Sequence, residues 1–102
     1  MKELIGEYVV VNVRVDITQK PFVYNGKLIA IQNDMLTLDD VKLGRIIFPI
    51  KNVHMLRKMS RIDMIELARK YERWALRLKF EQADDKVKQR FQAVLDAFRG
   101  GK

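Results

Sequence analysis

The sequence predicts a mainly β fold that then turns α: a small, bent, five-stranded barrel followed by two C-terminal helices. Three observations carry this expectation. Between Tyr8 and Leu56 the apolar residues alternate with polar ones or form short β-branched runs, the pattern of strands. Pro, Gly, Asn and Asp interrupt that region at intervals too short for helices. Beyond Leu56 the apolar spacing lengthens to the three-and-four rhythm of a helix. The expected organisation is a barrel over residues 1–58 and a helical extension over 59–102, packing on the barrel or on neighbouring subunits. A chain of 102 residues is long enough for one sizeable core.

The first strand is expected from Tyr8 to Ile17, where Tyr8, Val9, Val10, Val11, Val13, Val15 and Ile17 dominate and the later part alternates with Asn12, Arg14 and Asp16, giving one wet face toward its end. Thr18-Gln19-Lys20-Pro21 breaks it. Phe22 to Ile31 forms the second strand, with Gly26 marking a bend or a close approach of backbone. Gln32-Asn33-Asp34 is a turn, Met35 to Leu38 the third strand, and Asp39 to Gly44 a loop. Arg45 to Phe48 is the fourth strand, stopped by Pro49, and Val53 to Leu56 the fifth.

Ser60 is placed to cap the first helix, its hydroxyl accepting from the amide of Asp63. Met64, Leu67, Tyr71, Trp74 and Leu78 make one apolar stripe, while Ile62, Ile65, Leu76 and Phe80 fall nearly opposite. A helix apolar on two sides is expected between two surfaces. The stripe loses phase at Glu81-Gln82, and Asp84 is positioned as a new N-cap. Val87, Phe91, Val94, Leu95 and Phe98 give the second helix a single apolar face, and Gly100-Gly101 ends it.

Composition excludes several function classes. The chain has no Cys, a single His (His54) and a single Ser (Ser60), so neither a zinc site of the His/Cys kind nor a cysteine nucleophile can be assembled. A Ser60–His54 nucleophile and base lacks an orienting acid, and a cap role for Ser60 is the better explanation. Asp39-Asp40 and Asp84-Asp85 are explained by turns and caps. No glycine-rich phosphate loop occurs. The expectation is a protein that is not an enzyme and uses no metal or cofactor. No apolar run reaches the length of a membrane span or signal peptide, which leads to a cytoplasmic expectation.

Charge is unevenly spread. The formal net charge is +7, yet residues 1–53 carry 7 basic and 6 acidic side chains against 13 and 7 in residues 54–102. A basic half attracts polyanions, or it keeps a helical surface solvated.

Several segments resemble the Sm-like family. Tyr24-Asn25-Gly26-Lys27-Leu28 is similar to that family's aromatic-x-Gly-x-Leu in a bent second strand. Met35-Leu36-Thr37-Leu38-Asp39-Asp40 follows at the expected distance, and Gly6-x-x-Val9-x-Val11 resembles the first-strand pattern. Leu43 to Phe48, followed by Lys51 to Leu56, looks like the fourth and fifth strands. The resemblance spans about residues 4–56. It implies an Sm-like (SH3-like) barrel and a ring of six or seven subunits, closed by pairing the fourth strand of one subunit with the fifth of the next. It also implies an RNA partner. The departures are specific. Where uridine-binding members carry an acidic residue, a His or aromatic, Met and Asn, this chain has Gln32, Asp34, Met35 and Leu36. The family's Arg-Gly before the last strand is replaced by Pro49-Ile50. The family's N-terminal helix is absent or reduced to one turn.

Two functions remain. One is RNA binding by a ring without the usual uridine pocket, through Lys51 and Asn52 near the pore and Arg69, Lys70, Arg73 and Arg77 on the first helix. The other is an oligomeric scaffold with the same fold that binds protein partners, through its helices, and no RNA. In either case Ile46, Ile47, Phe48, Val53 and Met55 are the expected contacts between subunits of a homo-oligomer.

Overall fold

The computed structural model describes residues 1–77, apart from 15, 17 and 19, and residues 85–100; the side chains of 72–77, 99 and 100 lie outside the description. Five antiparallel strands precede two helices: β1 (Tyr8–Val13), β2 (Phe22–Gln32), β3 (Met35–Asp40), β4 (Gly44–Pro49), β5 (Val53–Lys58), α1 (Arg61–Arg77) and α2 (Asp85–Gly100). Single 3-10 turns occupy Lys2–Leu4 and Ile50–Asn52. The expected fold class, a bent five-stranded sheet with two C-terminal helices, is therefore present. The chain divides into two units, Met1–Met59 and Ser60–Lys102.

Strand order is β4-β3-β2-β1-β5, so β4 and β5 are the two edges. β2 is long because it serves two neighbours. Its first half, Phe22 to Lys27, pairs with β1, and its second half, Gly26 to Gln32, pairs with β3. Gly26 lies where the two halves overlap, opposite Val9 on one side and Asp40 on the other. A Cβ there would run into the backbone carbonyl of Asp39, so a side chain is excluded by space. A register shift between Leu28 and Ala30 accentuates the bend.

Alternation on the strands builds one core. Val9, Val11 and Val13 of β1 meet Leu28, Leu36, Leu38 and Phe48, with Tyr24, Ile31, Ile46, Ile50, Val53 and Leu56 packed against them. Each fully buried Val or Leu contributes about 1.5–3 kcal/mol relative to exposure. Tyr24 and Phe48 tilt against each other with ring centroids 5.3 Å apart.

Two expectations about the strands change. β1 stops at Val13 rather than Ile17, and beyond it the Asp16 carboxylate accepts from the amide of Thr18 at 3.0 Å, a local turn that competes with a ladder. Val15 and Ile17 lie outside the described residues. β3 runs on through Asp39 and Asp40, leaving only Val41 to Leu43 as loop. The cause is the side chain of Asp40, buried with 5% exposure. Its carboxylate accepts from the amides of Asn25, Lys42 and Leu43 at 3.1, 3.0 and 2.9 Å, which satisfies donors that a turn would otherwise leave open.

In the second unit, Ser60 and Asp63 form a reciprocal cap. The Asp63 amide donates to the Ser60 hydroxyl oxygen at 3.2 Å, and the Ser60 amide donates to the Asp63 carboxylate at 2.8 Å. Tyr71 of α1 stacks on Phe91 of α2 with centroids 4.2 Å apart and planes 7° from parallel, and burial raises the Tyr71 phenol pKa. Val87, Phe91 and Val94 are buried along α2. The first helical stripe is inward, with Met64, Leu67 and Tyr71 half-buried, whereas Ile62 and Ile65 are exposed. Leu78, Phe80, Glu81, Gln82 and the expected cap Asp84 lie outside the described residues.

Candidate functional site

Pro49 ends β4 because it has no N–H to give a further ladder bond, and Ile50–Asn52 turns the chain into β5. The turn is held on both flanks. The Ile50 amide donates to the Asp34 carbonyl at 2.9 Å, and the Arg14 amide donates to the Asn52 carbonyl at 2.9 Å. Asn33 and Asp34 both have positive φ, 52° and 60°, the backbone of a tight type I′ hairpin turn. The β2–β3 turn and the β4–β5 turn are thus adjacent.

Two hollows open around this turn. One, of about 580 Å³, is lined by Asp34, Met35, Pro49, Ile50 and Lys51, so its wall is largely apolar. The other, of about 440 Å³, is lined by Arg14, Lys51, Asn52, Val53 and His54. Lys51 borders both. No carboxylate lines the second hollow among the described residues. The Nε of Arg14 is buried and has no hydrogen-bond partner among the described residues.

Of the residues expected from sequence to contact RNA, Lys51 is exposed and Asn52 half-buried at the turn. Arg69 and Lys70 are exposed on α1; Arg73 and Arg77 belong to the same helix, but their side chains lie outside the described residues. Gln32 is exposed on the last position of β2, while Leu36 is fully buried in the core. Arg14 and His54 complete the second hollow and were missed. The signal for Arg14 was present as the polar member after Val13, but only the end of β1 brings it beside Asn52.

The residues expected between subunits divide by face. Ile47 is 58% exposed, whereas Ile46 and Val53 pack partly on the core and Met55 is half-buried. Phe48 is 6% exposed, so it can offer a neighbour only its backbone. Among the described residues β4 is paired only with β3, and β5 only with β1, leaving an outer edge on each.

Comparison with protein-family models, curated proteins and solved structures finds no match. Among the described residues no helix is long and apolar enough to cross a membrane, and no three His, Cys, Asp or Glu side chains group as metal ligands.

Proposed function

We propose that this chain is a cytoplasmic Sm-like protein that binds single-stranded RNA as a cyclic homo-oligomer of six or seven subunits, without base-specific uridine recognition. The observation that supports this most is the β4–β5 turn. It carries Lys51 between an apolar and a cationic hollow, and it joins the two open edges of the sheet. Phosphate contact needs only cations near an anionic strand, and such contact holds any sequence alike. Met35, Pro49 and Ile50 offer apolar contact to a base face but no donor or acceptor side chain to its edge. Arg69 and Lys70, exposed on α1, supply further cations. In this reading the protein performs no catalytic step.

The test is native mass measured together with an RNA titration at two salt concentrations. A ring whose affinity falls steeply with salt supports the reading; a monomer without RNA affinity rejects it. A second reading, an oligomeric scaffold that binds protein rather than RNA, is favoured by the exposed pair Ile62 and Ile65, 69% and 43% accessible on α1. A ring without RNA affinity is its signature.

A further inference from the structure

The hollow between the end of β1 and the start of β5 gathers a chemistry that the RNA-binding surface as drawn from sequence did not contain. Arg14, Lys51 and His54 bring donors from three separate segments to one place, and Asn52 adds a side-chain amide. Arg14 is held there by its own backbone, through the 2.9 Å bond from its amide to Asn52. A buried guanidinium N–H without a partner is costly, because its desolvation is not compensated. The Arg14 side chain as a whole is only half-buried, so an anion seated in the hollow would meet its more exposed parts, and the enclosed Nε–H reports that binding. The described lining contains no carboxylate that would compete for the cations or repel an anion.

We infer that the Arg14–Lys51–Asn52–His54 hollow is a phosphate-binding site. A guanidinium fork suits phosphate oxygens, and the flexible Lys51 ammonium supplies charge without demanding one geometry. The site deepens the RNA reading, since a phosphodiester of a bound strand is one source of the group. Free phosphate is the other source, and it needs neither the helix cations nor a ring.

The experiment follows the Arg14 Nε–H signal of the full chain by ¹⁵N-edited NMR. Three additions are compared: sodium phosphate, a hexa-adenylate with hydroxyl ends, and sodium chloride at matched ionic strength. The signal is expected to move saturably with the first two and not with the third. Lys51→Ala should weaken both responses roughly tenfold, the loss of one charge-assisted hydrogen bond. Arg14→Lys keeps the charge but removes the fork, and it should weaken them similarly. If Arg14→Lys fails to fold, the exposed Lys51 position carries the test alone. An unmoved Arg14 signal, or equal movement with chloride, overturns the site. If the oligonucleotide binds the protein by mass shift without moving Arg14, the site falls and the RNA reading stands. If only inorganic phosphate moves Arg14, the site stands as one for free phosphate, and the RNA reading fails if no oligonucleotide binds.

Discussion

The backbone amide of Arg14 donates to the carbonyl oxygen of Asn52 at 2.9 Å, tying the residue after β1 to the residue before β5. On the other flank the Ile50 amide reaches the Asp34 carbonyl. A three-residue turn is thereby braced from two sides, which fixes where Lys51 sits. Short connections held in this way position side chains more closely than free loops do.

Assembly follows from the edges. Outer strands with unpaired backbone groups pair with another copy unless something blocks them. Head-to-tail pairing of β4 with β5 closes into a ring when the rotation permits. Light scattering at micromolar concentration should report a cyclic oligomer. Ile47→Lys, at an exposed edge position, should shift the mass toward the monomer while changing the stability of the fold by no more than about 0.5 kcal/mol. A monomeric parent protein would reject the expectation.

Base preference should be weak. Pro49 and Ile50 stand where the resemblance expects Arg and Gly, and Leu36 is spent in the core. Competition binding should therefore show oligo-uridine, oligo-adenosine and mixed strands within a few-fold of one another. A clear uridine preference would mean that the departures at Gln32, Leu36 and Pro49 had been misread.

Cations on α1 should act through phosphates alone. Arg69 and Lys70 are exposed, and Arg73 and Arg77 continue the series along the helix. Each phosphate contact removed should lower the salt slope of log K by about 0.7 for a single strand. Arg73→Gln with Arg77→Gln, and separately Arg69→Gln with Lys70→Gln, should weaken every sequence equally. Affinity and slope unchanged from the parent in both pairs would leave the helix charge with solubility or a protein partner.

Gly26 should tolerate nothing larger. A methyl group there meets the Asp39 carbonyl, which is backbone and has no room to retreat within the β2–β3 ladder. Gly26→Ala is expected to cost about 3 kcal/mol by chemical denaturation, or to prevent folding. Wild-type stability in that variant would show that β2 bends by some other means.

Strand and helix types were legible in the residues because they depend on local periodicity: β-branched alternation from Tyr8 to Val13, helical spacing from Met64 to Tyr71. The cap at Ser60 was legible too, since a hydroxyl three residues before an acid makes a local bond. Boundaries were harder. Asp40 reads as a loop residue by composition, yet it extends β3: beside its local bonds from Lys42 and Leu43 it accepts from Asn25, which becomes a neighbour only after β2 and β3 pair.

What the sequence determined by itself was the order of elements, the core faces and the excess of positive charge past residue 53, all consequences of residue type and spacing. The tertiary structure alone decided that Arg14 and His54 join Lys51 and Asn52 and that Phe48 turns inward. Those relationships span dozens of residues. They come from strand pairing, in which register and bend, rather than any local preference, choose which side chains share a surface.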